Sequence, residues 1–180
     1  GLLVPDINNS FYADMIAGFE EILAKNDYTL MINSTRYQME AERDNLKRFI
    51  SLMVDGVAFL GGQNSSSHLD DLIADEFPVV FLNRDIDRIK YTQVLVDYNK
   101  AVKKAVKYLR SIGHRKIGYI GWKLEDIKVS VEKYRGYIDG LKENGLEIIE
   151  DRISLKDDMS ENTYREYYDF TREIYDRLKK

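Results

Sequence analysis

Leu2–Tyr12, LLVPDINNSFY, reads as a short apolar strand, a polar turn around Pro5 and Asp6, and a helix whose opening turn carries two aromatic residues. Strand, polar turn and helix in that order are one step of a βα series. In an open parallel sheet the turns after the strands are where ligands bind. A second stretch, Gly113–Gly121 (GHRKIGYIG), leads into another apolar strand. Between and beyond the two, strand and helix signals alternate.

Working outward, strands are expected at Gly1–Val4, Tyr28–Ile32, Gly56–Leu60, Val79–Leu82, Gln93–Val96, Lys116–Ile120 and, more weakly, Arg152–Leu155. Helices are expected at Phe11–Lys25, with Met15, Phe19, Ile22 and Leu23 at helical spacing, and at Glu40–Met53, with Leu46, Phe49, Ile50 and Met53. Further helices fall at His68–Asp75, Asn99–Arg110 (closed by Gly113 as a cap), Val129–Asn144, and from Ser160 as N-cap to Leu178. Valine-, isoleucine- and leucine-rich strands alternating with helices predict an α/β fold of parallel sheets sandwiched by helices. The plausible boundary lies near Val96–Asn99, dividing the chain into 1–96 and 97–180.

The composition excludes several classes. With no cysteine among 180 residues there is no disulfide, thiolate metal site or Cys nucleophile. A net charge of −4 argues against a stand-alone nucleic-acid binder. No apolar run reaches membrane-spanning length, so no membrane partner is expected. Gly61-Gly62 lacks the spacing of a phosphate or dinucleotide loop and reads as an ordinary turn. His114 reads as a turn residue at the edge away from the ligand side, and His68 has no partner placed by any motif. An enzyme or phosphoacceptor on a flavodoxin-like sheet finds no acidic pocket, metal cluster or nucleophile–base pair to support it. Neither enzymatic turnover nor a cofactor or metal is expected.

Several segments, in this order, resemble the effector-binding core of the LacI/GalR family of bacterial transcription regulators. They are Pro5-Asp6-Ile7-Asn8-Asn9-Ser10-Phe11-Tyr12, Val54-Asp55-Gly56, Pro78-Val79-Val80 running on to Asn83-Arg84, Val96-Asp97 through Gly121, and Ser130, Lys133, Gly136 and Tyr137. The resemblance implies a type I periplasmic-binding-protein-like fold of two α/β lobes holding a sugar or nucleoside-like effector between them. It also implies a cytoplasmic homodimer that meets operator DNA only through a helix-turn-helix, which this chain lacks. On that pattern the chain is a complete-looking first lobe and a partial second. An extracytoplasmic sugar receptor of an ABC transporter shares the fold and is the alternative.

The candidate effector-binding residues are Phe11, Tyr12, Asn83, Asp97, Trp122 and Lys133. An aromatic at Phe11 or Tyr12 can stack on a sugar or base, or simply pack under its helix. Asn83 ends a strand of apolar residues where a cleft would open, or is a turn asparagine. Asp97 can orient a ligand hydroxyl or cap the next helix. Trp122 can wall the cleft or pack on the surface. Lys133 stands where the family has arginine: a flexible point charge replaces a planar fork, and a solvated lysine is the rival reading.

Overall fold

The computed structural model describes residues 1–62, 67–73, 77–84, 86, 91–122, 128–156 and 164–178, the last segment by backbone alone at 164–167 and 178. The chain divides into two compact units, Gly1–Val96 and Asp97–Lys180.

In the first unit, strands β1 (Leu2–Val4), β2 (Ile32–Ser34), β3 (Val57–Leu60), β4 (Val79–Leu82) and β5 (Thr92–Val94) form one sheet in the order β2-β1-β3-β4-β5, with every pairing parallel. The alternation of side chains along each strand feeds two cores. Leu3, Phe59 and Phe81 pack with Leu46 and Phe49 of helix α2 (Met39–Ser51). Leu2, Val4, Ala58 and Leu60 face the other way, toward helix α1 (Ser10–Ala24). The strand order turns back between β1 and β3, the kind of position at which open parallel sheets in general bind ligands beyond their carboxyl ends.

The second unit pairs β6 (Tyr119–Trp122) in parallel with β7 (Ile153–Lys156). Helices α3 (Tyr98–Ser111) and α4 (Lys128–Glu143) cover one face around Val106, Tyr137 and Leu141, with Tyr119 and Ile153 packed in from the strands. On the opposite face Arg177 of helix α5 (Tyr164–Leu178) donates to the Ser154 hydroxyl.

α3 and α4 lie side by side and parallel: Asn99 meets Gly136, while Lys103 and Val106 meet Gly140. A Cβ at Gly136 would stand 2.5 Å from the Asn99 carbonyl oxygen, and one at Gly140 would stand 2.9 Å from Val106 Cβ. The seam is closed further along by an Asn99–Asp139 hydrogen bond of 3.3 Å and a Lys103–Glu143 ion pair. Gly113, at φ +105°, ends α3 in the left-handed conformation that a C-terminal cap requires.

Some expected boundaries move. The strand expected at Tyr28–Ile32 forms at Ile32–Ser34, because the ladder to β1 starts only where Leu2 N donates to the Met31 carbonyl. Asn33 and Ser34 hide it from an apolar-pattern reading, since both engage in hydrogen bonds, to Asn45 and to the Pro5 carbonyl. The strand expected at Lys116–Ile120 likewise forms later, at Tyr119–Trp122. Met53 leaves the expected apolar stripe: α2 ends at Ser51, and Met53, at φ +55°, is 87 % exposed. Ile22 is likewise exposed on α1. Of the helix expected at His68–Asp75, a single 3-10 turn forms at Ser67–Leu69, followed by turns through the described residues to Ile73. Ser160, read as a cap, lies outside the described residues.

Candidate functional site

On the first unit the polar turns gather at the carboxyl edge. After β1, Asp6 accepts from Asn8 N at 2.9 Å, and Asn9 caps α1 by accepting from Phe11 N at 3.0 Å. This fixes Phe11, a residue 45 % exposed, with its ring edge-on to Tyr12, 5.3 Å between centroids. Tyr12 itself turns inward, 7 % exposed, and its hydroxyl lies where a Cβ on Gly61 would come within 2.8 Å. Gly61 sits at φ +65°, so both the backbone and the tyrosine demand a residue without a side chain.

At the end of β4, Asn83 takes the left-handed conformation, φ +51°, and donates its backbone N–H to the Val94 carbonyl at 2.8 Å. Its Oδ1 is buried and has no hydrogen-bond partner among the described residues. A buried acceptor left unpaired costs about 1–3 kcal/mol, which a ligand donor or a water would recover.

Beside it lies a charge cluster that the motifs do not announce. Arg84, 2 % exposed, donates to Glu42 Oε1 at 2.7 Å. The Arg84 guanidinium also lies 5.2 Å from the Phe81 ring and 5.9 Å from the Phe59 ring. His68 Nε2 approaches the same Glu42 oxygen at 3.2 Å. Gly62, at φ +93°, leaves room for the pair: its Cβ would meet Arg84 Nη1 and Glu42 Oε2, each at 3.4 Å. The two glycines therefore seat side chains on both flanks of β3, which goes beyond an ordinary turn. Arg43 fastens the 3-10 turn to α2 by donating to the His68 carbonyl at 2.6 Å and to Asp71. That guanidinium holds the Asp71 carboxyl down to about 2.

On the second unit, α3 runs back against β6 while α4 starts after it, so both helices begin at the carboxyl end of β6. Asp97 caps α3, its Oδ1 accepting from Lys100 N at 2.8 Å. Next to it, the Tyr98 ring carries the ammonium of Lys133, 4.5 Å from its centroid. Burial pushes the Lys133 pKa down from its ordinary value. With its pKa lowered, the folded unit is penalised for holding that charge at neutral pH, and the penalty lifts as pH rises past the lowered value. Trp122 closes β6 with the ammonium of Lys156, its register partner, 5.6 Å from the ring. Lys133 is thus set against Tyr98, the chain neighbour of Asp97 and a residue the sequence reading passed over.

If Asp97 acts as a cap, Asp97→Ala is expected to lower the stability of the second unit by about 1 kcal/mol. Asp97→Asn, which keeps the acceptor, should lose only a small part of that in urea unfolding followed by fluorescence.

An open trough of about 890 Å3 lies elsewhere in the first unit, between Phe19 and Leu23 of α1 and the starts of β3, β4 and β5 near Gly56, Pro78 and Thr92. It is at the amino edge of the sheet, remote from the turns that carry polar ligands in such folds. Among the described residues no helix is long and apolar enough to cross a membrane.

Residues 1–172 match the family of periplasmic binding proteins and the sugar binding domain of the LacI family. The chain belongs to this family. Among curated relatives, catabolite control protein A of Priestia megaterium is 29 % identical over 82 % of this chain and 45 % of its own length. The ribose operon repressor of Haemophilus influenzae is 32 % identical over 79 % of this chain and 42 % of its own length. The chain therefore spans less than half the length of these relatives. Among solved structures, the transcription regulator CcpA of Lactococcus lactis superposes with a TM-score of 0.77 at 25 % identity, covering 98 % of this chain and 64 % of that one. A LacI-family regulator from Lactobacillus casei with bound sucrose gives 0.76 at 24 % identity, over 96 % of this chain and 62 % of that one, and shares the fold.

Proposed function

We propose that these residues are the effector-binding and dimerisation core of a LacI/GalR-type transcription regulator, working in the cytoplasm without catalytic turnover. The effector is a sugar or nucleoside-like molecule. Residues 1–96 serve as the amino-terminal lobe and 97–180 as part of the carboxyl-terminal one. Operator DNA is met through a helix-turn-helix outside these 180 residues.

The observation that carries the reading is Phe11. An aromatic ring nearly half exposed is held by a side-chain cap and an edge contact, at the carboxyl end of the strand beside which the sheet order turns back. Such a platform suits the flat apolar face of a sugar or base. Asn83, at the end of β4 in the same unit, supplies an amide whose oxygen lacks a partner. Tyr12 supports the platform from below. On the second unit Asp97, Trp122 and Lys133 supply polar and aromatic contacts at the carboxyl edge.

Calorimetry against pentoses, hexoses and nucleosides tests the proposal. At least one class is expected to bind, with no product formed. Phe11→Ala and Asn83→Ala are each expected to weaken that binding by about tenfold, the loss of one stacking or hydrogen-bond contact. Silence across the whole panel, or affinity untouched by both substitutions, overturns the reading.

A further inference from the structure

The seam between α3 and α4 gives its polar side chains partners until it reaches the carboxyl edge of the second unit. Lys103 finds Glu143, Asn99 finds Asp139, and Glu132 is engaged by Arg135 at 2.9 Å. Lys133 is different. No carboxylate lies within ion-pair distance of it among the described residues, and desolvation alone shifts its pKa. A lysine stem long enough to carry its ammonium out to water instead holds it over the Tyr98 ring.

The helices begin together at this edge, so the positive ends of two helix dipoles point the same way. Neither has an acidic residue in its first turn. Asp97, the acid at the start of α3, has its Oδ1 committed to the Lys100 backbone.

We infer that the effector carries an anionic group, a phosphate or a carboxylate, which the Lys133 ammonium receives over the Tyr98 ring. This rests on the effector-binding reading above and adds the chemical class. An arginine fork can grip a pair of neutral hydroxyls bidentately, whereas an ammonium is a point charge whose gain is chiefly Coulombic. Partial burial strengthens that attraction. Tyr98 is a positioning residue: it holds the ammonium by its ring face and does not itself meet the anion.

The test uses the 180-residue chain and hexose 6-phosphates, hexuronates and their neutral parent hexoses as probes, read by calorimetry and by the fluorescence of Trp122, the single tryptophan. At least one charged derivative is expected to bind about tenfold or more tightly than its neutral parent, the scale of one charge-assisted contact. The phosphate and carboxylate arms identify the group. Lys133→Met should erase that preference by weakening the charged derivative far more than its neutral parent, and Lys133→Arg should keep it. Tyr98→Leu, which removes the ring face that holds the ammonium, should reduce the preference. Binding of the charged hexose should raise the Lys133 titration, followed by NMR, in the unsubstituted chain. A neutral hexose that binds as tightly as its charged derivative, with Lys133→Met altering neither, overturns the inference and leaves the effector-binding reading standing. Binding of no sugar, charged or neutral, overturns the inference, and silence of the nucleosides as well removes the effector-binding reading.

Discussion

Replacing Glu42 by Ala is expected to destabilise the first unit by about 3–5 kcal/mol, the usual result of leaving a buried charge without its partner. The Arg84 guanidinium is held in place. The residue is 2 % exposed and confined by Phe59 and Phe81, and Gly62 offers no side chain in exchange. Against a total domain stability of about 5–15 kcal/mol this is a large fraction. Glu42→Gln keeps an acceptor for Arg84 Nη1 and should lose less. The double replacement Glu42→Leu with Arg84→Met removes both desolvation penalties and should recover much of the stability. Because the first unit has no tryptophan, far-UV circular dichroism should reveal the early transition of Glu42→Ala while Trp122 fluorescence keeps its midpoint. A midpoint unchanged by both probes would show that the pair contributes nothing.

The second large effect belongs to Gly136→Ala. Alanine improves helix propensity by about 1 kcal/mol over glycine, so on an exposed face this substitution stabilises. Here the added methyl meets the Asn99 backbone oxygen at 2.5 Å and Asn99 Cα at 2.9 Å, neither of which is the movable tip of a side chain. The helices must separate, and overpacking of this kind costs about 1–3 kcal/mol, occasionally more. The clash outweighs the propensity, so a net loss is expected, and Gly136→Val should exceed it. The readout is reversed from the Glu42 case: fluorescence of Trp122 shifts to lower urea. Gly18→Ala is the internal comparison, since a Cβ there meets nothing within 4 Å and should be neutral or stabilising.

The sequence made the architecture legible wherever a strand had to be buried. Val57–Leu60 and Val79–Leu82 carry unbroken apolar runs, and both form where the pattern puts them. Edge strands were harder. β2 is specified by Leu2 bonding to Met31 and by the hydrogen bonds of Asn33 and Ser34, information that lies in the partners and not in the run itself. The Glu42–Arg84–His68 cluster left one trace that a helical reading could use. Glu42 falls on the stripe of Leu46 and Phe49, where a charge makes sense only if something buried answers it. The answering residue lies 42 positions away, beyond the reach of local spacing. Tyr98 was silent for a different reason: its role is to face Lys133, and only the packing of α3 on α4 creates that encounter.

That packing has a mechanical corollary. At Gly136 the α4 backbone rests directly on the Asn99 backbone, and at Gly140 it rests on the Val106 side chain and the Lys103 backbone, so the two helices are coupled closely enough to displace together. A tug on the Lys133 ammonium is therefore delivered, through the tyrosine ring and the glycine seam, to the first residue of α3. One residue before it stands the cap Asp97, the residue with which the second compact unit begins.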